Sequence, residues 1–452
     1  MLIVTLPANS AHEPSAFAAR ARAAGANLLE VRGDLTPGLA PFDSALPLLL
    51  APRGGDLVAL AARGAAWLDL EEHEAPLEVR GARRVTSLHD HTHTPPFDDL
   101  AAFGERAFAR GAALVKIACT ATSHADVLTL TRVRSALARR GPTTVHAMGP
   151  LAEFERVGSP WANASTYAAL DATSASAPGQ IALQRYVELA GPTAPPIFGV
   201  FGGPAFTSRS ASPRLFREIF RRRGVRAAYV RVPSDAARSD LASLRTLGVR
   251  GLSVTAPHKL AAARFADELA PDAARAGAVN TLLFGERVVG HQFAALGIER
   301  GHPQLAGRAG AGAIVGSGGV VPAVILACER LGLARPTVFA RNADAARALG
   351  ERFGVHTASL AELVHARPAL LVWTLPVDPS DVVLPNAQAA AIALDLRYGA
   401  RTPFMARAAE LGYTVQDGAA MLVHQMLAQF ELFTGLTPLP NDAAALLELV
   451  AR

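Results

Sequence analysis

The 452-residue sequence has few cysteines and no long apolar run, and each shortage excludes a class of protein. Its two cysteines, Cys119 and Cys328, lie far apart, which excludes a disulfide framework and predicts two reduced, buried thiols. No apolar run approaches the ~20 residues that cross a bilayer, so we expect no membrane partner. Residues 1–6 lack the basic start of a targeting peptide, which predicts a cytoplasmic protein.

Charge is also sparse, at 18% of residues with a net charge of +5. The one tight basic run, residues 221–223, is typical of a helix end, and no nucleic-acid recognition motif accompanies it. A few arginines aimed at small anionic molecules fit this balance better than a nucleic-acid partner does.

Short apolar runs alternate with alanine-rich helical stretches, which predicts an α/β fold with buried parallel strands. Eight such runs occupy the first part of the chain, and eight βα units predict a TIM-like (β/α)8 barrel over residues 1–190. The runs are 2–6, 27–31, 47–51, 67–70, 84–88, 113–117, 144–148 and 164–168. Residues 191–196, rich in proline and glycine, predict a linker.

After the linker the strand pattern restarts at residues 197–201, 227–232 and 251–254, followed by a hairpin near 281–290. From residue 311 an apolar run enters a glycine turn and then a helical stretch. This order is typical of a nucleotide-binding crossover and predicts a small Rossmann-like domain.

The barrel segment carries a lysine inside an apolar run. Lys116 lies within Ala-Leu-Val-Lys-Ile-Ala, where desolvation would favour the neutral amine and suit imine formation with a ketone. The alternative is a structural lysine that extends from a strand end or pairs with Glu30. Polar residues at other predicted strand ends, Glu30, Arg32, Arg53 and His89, favour the catalytic interpretation, because chemistry in such barrels gathers at those ends.

Three histidines alternate at His89, His91 and His93, and one imidazole could remove and return a proton at neutral pH. The alternative is a metal site, since alternating side chains on an extended segment share a face. No carboxylate or cysteine with ligand spacing completes such a site, so we predict no functional metal.

These residues resemble type I 3-dehydroquinate dehydratase over residues 1 to about 190. The shared pattern is Ser-x-His-Asp, Val-Lys-Ile-Ala and Ser-Ala-Pro-Gly-Gln, in that order. The resemblance implies a Schiff base on Lys116 and His89 as general base and acid. It also implies substrate contacts, with Arg156 on the carboxylate, Ser176 and Gln180 on a closing loop, and Glu30, Arg32 and Arg53 at the strand ends.

The barrel segment departs from that family at three places. The usual glutamate after Arg53 is absent from Pro-Arg-Gly-Gly-Asp, residues 53–69 are short for a full βα unit, and Glu155 replaces a serine. One substrate hydroxyl could therefore lose its partner.

In the second part, the glycine turn of Gly316, Gly318 and Gly319 would let backbone amides approach a pyrophosphate. Arg341 ends the next predicted strand, where an acidic residue would favour NAD, so the arginine favours NADP(H). The alternative is a surface arginine that caps the strand.

The segment from about residue 196 to the end resembles shikimate dehydrogenase. The resemblance implies a substrate domain of residues 197–293 and 400–452 and an NADP-binding domain of residues 294–399. It implies Lys259 as the catalytic lysine and a set of substrate contacts: Ser208, Ser210, Thr255, Asn280 and Gln425. Asp395-Leu-Arg-Tyr398 fits the family's Asp-x-x-Tyr segment.

The family's aspartate that partners the lysine aligns with Ala294, and no acidic residue occurs from Val288 to Ile298. Ser253 and Thr207 also replace a usual asparagine and histidine. We expect a bifunctional enzyme that dehydrates 3-dehydroquinate and reduces 3-dehydroshikimate with NADPH. The alternative is a monofunctional dehydratase whose second half is a binding or regulatory module.

Overall fold

The computed structural model describes residues 1–74, 77–171, 173–307, 310–378 and 381–451. By its internal contacts the chain divides into two compact units. The first comprises Met1–Phe198 and Arg226–Val249, and the second comprises Gly199–Val225 and Arg250–Arg452. Among the described helices, none is long and apolar enough to cross a membrane.

A nine-stranded parallel sheet forms the first part of the chain, in the order β7-β6-β5-β4-β3-β2-β1-β8-β9. All eight strands predicted from the apolar runs are present. The strands are β1 Leu2–Thr5, β2 Leu28–Arg32, β3 Leu48–Ala51, β4 Trp67–Glu71, β5 Arg83–Asp90, β6 Leu114–Thr120, β7 Thr143–Met148, β8 Thr166–Ala169 and β9 Ile181–Ala182.

The sheet curls round until β7 meets the segment before β8. Ala164 N donates to Thr143 O at 2.9 Å, and the Asn163 side chain bonds both N and O of Val145, at 2.9 and 3.0 Å. Side chains from strands all round the sheet pack into one cluster that fills the interior: Ile3, Leu28, Leu49, Val85, Leu114 and Tyr167. The predicted barrel is therefore present as a curled parallel sheet with a packed interior, in which, over the described residues, β7 and β9 are the edge strands and β7 does not pair with β8.

The helices cover the outer face of this sheet unevenly. Described residues after β2 and after β4 form no helix, so the barrel is trimmed at two places that the sequence did not indicate. The helices are α1 Pro14–Ala23, α2 Val58–Arg63, α3 Phe97–Ala109, α4 His124–Leu137, α5 Ala152–Ala162 and α6 Leu183–Glu188. The short segment after Arg53 does contain a helix, the six-residue α2.

A six-stranded mixed sheet follows, in the order β11-β10-β12-β14-β15-β13, with the predicted hairpin formed by β14 and β15. Its strands are β10 Ile197–Gly202, β11 Ala228–Pro233, β12 Gly251–Val254, β13 Glu268–Leu269, β14 Thr281–Phe284 and β15 Val288–His291. Its helices are α7 Pro204–Thr207, α8 Ser212–Arg222, α9 Ala237–Thr246, α10 Lys259–Phe265 and α11 Pro271–Ala276.

After α12 (Ala294–Gly301) comes a six-stranded parallel sheet in the order β18-β17-β16-β19-β20-β21. This is the doubly wound order of dinucleotide-binding folds, with a topological switch point between β16 and β19. The strands are β16 Gly312–Val315, β17 Thr337–Ala340, β18 His356–Ser359, β19 Leu370–Trp373, β20 Ile392–Asp395 and β21 Thr414–Gln416. The helices are α13 Val321–Arg330, α14 Ala343–Phe353, α15 Pro403–Glu410, α16 Ala419–Thr434 and α17 Asp442–Ala451.

Two glycines hold the loops after β2 and β3 together at the barrel mouth. A Cβ on Gly55 would overlap the backbone of Gly33, and one on Gly33 would lie 2.5 Å from Pro52 O. The backbones touch, so side chains are excluded from both positions. This contact sets Arg32 beside Arg53.

We expect Gly55→Ala to destabilise the barrel by about 1–3 kcal/mol, because rigid backbone atoms must move to admit the methyl group. Gly158→Ala is the matched control, since a Cβ there meets only Ile197 Cδ1 at an ordinary 3.7 Å. Urea unfolding of both variants measures the difference. Equal stability of the two variants would contradict the close-contact argument.

Candidate active sites

Lys116 lies inside the barrel, on the strand face that it shares with the interior residue Leu114. It is 6% exposed, and its Nζ lies 3.0 Å from Asp69 Oδ2, 3.8 Å from Glu30 Oε1 and 4.2 Å from the ring centre of Tyr167. The predicted burial of Lys116 is confirmed. The prediction of apolar surroundings is wrong, because the carboxylates of Asp69 and Glu30 face the amine. Pairing with Glu30, the structural alternative, is present at the longer distance.

Asp69 is fully buried, and its Oδ2 accepts from both Lys116 and Arg53, the latter at 2.7 Å. Arg53 also donates to Ser87 at 3.1 Å and to Glu74 at 2.9 Å. Burial would raise the pKa of Asp69, but the charges of Lys116 and Arg53 outweigh it and hold that pKa well below its ordinary value. The carboxylate is therefore anionic and fixes both cations.

His89 is the least exposed of the three histidines and is half-buried. Its Nδ1 lies 2.6 Å from Glu71 Oε1, and its side chain is 15% exposed, whereas His91 and His93 are exposed. Burial and the charge of Lys116 lower the pKa of His89 below 6.5, although the bond to Glu71 opposes them. A neutral imidazole held at one nitrogen suits a general base. Among the described residues, no group of histidine, cysteine and acidic side chains could hold a metal ion.

The barrel mouth is a cavity of about 720 Å³ lined by Arg32, Arg53, Glu71 and His91 among others. Arg32 forms a two-pronged ion pair with Asp34, at 3.0 and 2.6 Å. Both arginines of the mouth are thus already paired with carboxylates, Arg32 with Asp34 and Arg53 with Asp69 and Glu74. An anionic substrate would have to compete with these carboxylates for the guanidinium groups.

The closing loop joins the same network. Ser176 Oγ donates to Thr5 Oγ1 at 3.0 Å, and Thr5 Oγ1 donates to Glu30 Oε2 at 2.6 Å. Gln180 Nε2 donates to Ser176 Oγ at 3.0 Å, while its Oε1 accepts from Ser176 N at 2.8 Å. The predicted pair of loop residues is thus connected through Glu30 to the surroundings of Lys116.

Arg156 is buried on α5, where its Nε donates to Ala147 O at 3.0 Å. Among the described residues its Nη1 has no hydrogen-bond partner. Burial lowers the pKa of Arg156. A desolvated guanidinium with an unused donor is suited to a carboxylate ligand.

Sequence reasoning missed Asp69, Glu71, Thr5 and Tyr167. Asp69 and Glu71 stand two residues apart at the C-terminal end of β4, so they share the face that carries the interior side chains. That spacing was the available signal. Tyr167 gave none, because an aromatic residue in a strand indicates packing more often than chemistry.

In the second unit, Lys259 begins α10 and is half-buried. Desolvation lowers the pKa of its ammonium to about 8. A Cβ placed on Gly319 would lie 3.8 Å from Lys259 Cβ, so the lysine stem runs beside the glycine turn. The predicted catalytic lysine and the predicted cofactor turn are therefore neighbours.

Asn280 and Gln425 meet directly. Asn280 Nδ2 donates to Gln425 Oε1 at 3.2 Å, and Asn280 Oδ1 accepts from Phe293 N at 2.9 Å. Val279 N donates to Lys259 O at 3.0 Å, which places Asn280 one residue from the lysine's backbone contact. The structure thus brings three of the predicted residues together.

Ser208, Ser210 and Thr255 are joined less closely. Ser208 is exposed, and its hydroxyl donates to Ala205 O at 3.4 Å. Ser210 Oγ accepts from Ser212 N at 3.2 Å at the start of α8. Thr255 follows β12 and donates its backbone N–H to Phe201 O at 2.8 Å. Within the described part of the chain, these three side chains make no hydrogen bond or ion pair with Lys259.

The glycine turn lies at the switch point of the third sheet. Gly316 has a φ of +121°, and a Cβ there would overlap Thr374 Oγ1 on the loop after β19. Nothing lies within 4 Å of a Cβ on Gly318. The turn is therefore an open backbone cradle that fits a pyrophosphate. Arg341 is exposed directly after β17, where it could reach a ribose 2′-phosphate.

Ala294 starts α12 and is fully buried in an apolar cluster. Gln292 Oε1 accepts from Ala294 N at 3.1 Å, and its Nε2 donates to Ala278 O at 3.3 Å. The side-chain amide of Gln292 therefore bonds the start of α12. Burial alone lowers the pKa of Lys259, with no charged partner contributing.

Comparison with known proteins finds a family match in each part of the chain. Residues 51–190 match the type I 3-dehydroquinase family, and residues 200–282 match the shikimate dehydrogenase substrate binding domain. The chain is 35% identical over 254 residues to "Shikimate dehydrogenase (NADP(+))" of Oleidesulfovibrio alaskensis, covering 53% of this chain and 90% of that protein.

Two further relatives extend this comparison. The chain is 28% identical over 490 residues to the chloroplastic "Bifunctional 3-dehydroquinate dehydratase/shikimate dehydrogenase" of Arabidopsis thaliana, covering 94% of this chain and 80% of that one. The shikimate dehydrogenase structure from Aquifex aeolicus is 23% identical, with a TM-score of 0.52, and matches 57% of this chain and 99% of its own. The chain therefore belongs to the shikimate dehydrogenase family and joins that enzyme to a type I 3-dehydroquinase region.

Proposed function

We propose that the protein catalyses two consecutive steps of aromatic amino acid biosynthesis. The barrel dehydrates 3-dehydroquinate to 3-dehydroshikimate, and the second unit reduces that product to shikimate with NADPH. The observation that carries the proposal is that Lys116, which is buried, and the neutral imidazole of His89 lie on one interior face of the barrel. The same chain also places Lys259 beside the glycine turn of the second unit.

In the barrel, the neutral amine of Lys116 attacks the substrate ketone, a C–N bond forms, and water leaves as the imine is completed. His89 then removes a proton from the carbon next to the imine and returns it to the departing hydroxyl. Glu71 holds Nδ1 of His89, which leaves Nε2 for the proton transfer. Hydrolysis of the imine frees Lys116.

We assign the remaining barrel residues to substrate binding. The buried, unused donor of Arg156 supports a contact with the substrate carboxylate. Arg32, Arg53 and Glu30 contribute to the mouth, and Ser176 with Gln180 closes it over the hydroxyls. The hydrogen bonds from this loop to Glu30 through Thr5 support that role.

We expect borohydride to inactivate the dehydratase only when 3-dehydroquinate is present, because it reduces the imine on Lys116 to a stable secondary amine. Peptide mass spectrometry should find the adduct on the Lys116 peptide. His89→Ala should still form the adduct but turn over ~10²–10⁴-fold more slowly, since it loses its acid and base.

His93→Ala is the matched control, because it removes an exposed imidazole of the same run and should keep most of the activity; His91→Ala is measured beside it. An adduct on another lysine would refute the assignment of Lys116. A larger loss in His91→Ala than in His89→Ala would show that another imidazole moves the proton.

In the second unit, the cradle at Gly316 and Gly318 would hold the NADP(H) pyrophosphate, and Arg341 would contact the 2′-phosphate. The bound nicotinamide supplies the hydride. Lys259 donates a proton to the carbonyl oxygen of 3-dehydroshikimate, whose ring contacts Asn280, Gln425 and Thr255, and whose carboxylate contacts Ser208 and Ser210. Without the aspartate, we expect turnover ~10²–10⁴-fold below that of a complete acid and base pair.

The alternative, a second half that only binds or senses, is not favoured, because the whole chain resembles a bifunctional relative. We further propose the domain limits 1–190, 191–196, 197–293 with 400–452, and 294–399. The separate second and third sheets support the limit near residue 293, whereas β21 pairs with β20 in the third sheet although it lies beyond the proposed limit at residue 399. Two buried free thiols support a cytoplasmic location.

The NADPH-dependent reduction should weaken as pH rises through about 8, because Lys259 must carry a proton and burial lowers its pKa to that value. Its ammonium form predominates below about pH 8 and is progressively lost as the pH rises above that value. Ala294→Asp adds an opposite charge at the family's aspartate position, so it should raise that pKa and move the decline to higher pH.

Ala294→Asn controls for side-chain size, since it adds nearly the same volume without charge and should leave the decline near pH 8. The measurement is kcat for NADPH oxidation from pH 6 to 10 in all three proteins. A wild-type rate that stays level to pH 10, or a shift in the asparagine variant equal to that in the aspartate variant, would rule out this role for Lys259.

A further inference from the structure

A second imidazole lies inside the barrel and has no part in the steps above. His146 on β7 is 2% exposed, and no sequence motif pointed to it. We propose that His146 is a substrate-contacting residue of the dehydratase site, whose Nε2 accepts a hydrogen bond from a ring hydroxyl of the substrate held on Lys116. This inference rests on the proposed dehydratase function and adds a residue to it.

The strand register places His146 on the interior face. Lys116 pairs with Thr144, and Ala118 pairs with His146, so all four side chains leave the same side of the sheet. The alternate residues of the two strands point outward. These residues pack with side chains of the outer helices: Val115, Ile117, Val145 and Ala147. His146 and Lys116 therefore lie on the same interior face of the sheet.

His146 also stands at the level of His89. Ala118 pairs with His89 on one side and with His146 on the other. The two imidazoles thus flank Ala118, one residue pair nearer the mouth than Lys116. Two strand spacings separate them, roughly 10 Å, which leaves room for one six-membered ring between them.

Glu155 orients the ring of His146. Its Oε2 lies 3.4 Å from His146 Nδ1 and accepts from Ala147 N at 3.2 Å. Burial raises the pKa of Glu155, but His146 and two arginines outweigh it and keep the carboxylate ionised. Burial lowers the pKa of His146 although Glu155 opposes the shift, so the imidazole is neutral. Its proton sits on Nδ1, which faces the carboxylate, and Nε2 presents a lone pair.

That lone pair has no partner among the described residues. Tyr167, whose ring lies under Lys116 Nζ, meets His146 edge-on at 6.2 Å between ring centres. A buried acceptor without a donor is costly in a fold, so a donor supplied by the ligand accounts for it. Because Nε2 accepts, a hydroxyl is the group that it would recognise, rather than a carboxylate.

Two substitutions distinguish the role of His146 Nδ1 from that of Nε2. His146→Asn keeps a polar group near Nδ1 for Glu155 but removes the group at Nε2. His146→Gln keeps an amide near Nε2 and gives up the contact with Glu155. We expect kcat/KM for 3-dehydroquinate to fall roughly 10-fold in His146→Asn, mainly through KM, which is the loss of one buried hydrogen bond. His146→Gln should stay within about threefold of wild type.

The opposite ranking, or wild-type kinetics in His146→Asn, would show that His146 serves only the fold. If the asparagine variant fails to fold, ¹⁵N-histidine NMR of the wild-type protein decides. The Nε2 resonance of His146, assigned with the glutamine variant, should move when borohydride traps the ligand on Lys116, and an unmoved resonance overturns the proposal. Wild-type protein that forms no adduct and dehydrates nothing would instead refute the dehydratase function itself.

Discussion

The barrel depends on one buried carboxylate. Asp69 holds Lys116 and Arg53 through the same oxygen, at 3.0 and 2.7 Å, with no exposure to solvent. Removing one partner from such a group leaves uncompensated charge, which typically costs about 3–5 kcal/mol. The network thus keeps a nucleophilic lysine in place inside a packed interior. It also means that Lys116 must release a proton before it attacks.

The lysine of the second unit, Lys259, is adjusted by burial and not by an ion pair with any described residue. Lys259 has no acidic partner contributing to its pKa, and desolvation alone lowers that pKa to about 8. Gln292 bonds the start of α12, so the helix is stabilised there by a neutral amide. One chain therefore carries a lysine whose charge is balanced by a buried carboxylate, Lys116, and another whose pKa is lowered by burial, Lys259.

Much of the fold could be predicted because strand position depends on local apolar runs. All eight barrel strands, the β14–β15 hairpin and the switch-point strand β16 lie where those runs are. The surroundings of Lys116 could not be predicted, since Asp69 is 47 residues away and becomes a neighbour only when the sheet curls. His146 escaped notice for the same reason, because register, and not sequence, aligns it with His89. The domain limits stay a prediction.

The central claim, two consecutive reactions on one chain, is tested most directly by NMR of the pure protein with 3-dehydroquinate and NADPH together. The account predicts that 3-dehydroquinate disappears, 3-dehydroshikimate rises and then falls, and shikimate forms with one NADPH oxidised for each molecule. Lys116→Ala should block the first conversion alone, and Lys259→Ala the second alone. Complete dehydration with NADPH untouched would contradict the account and leave the second unit without its proposed reaction.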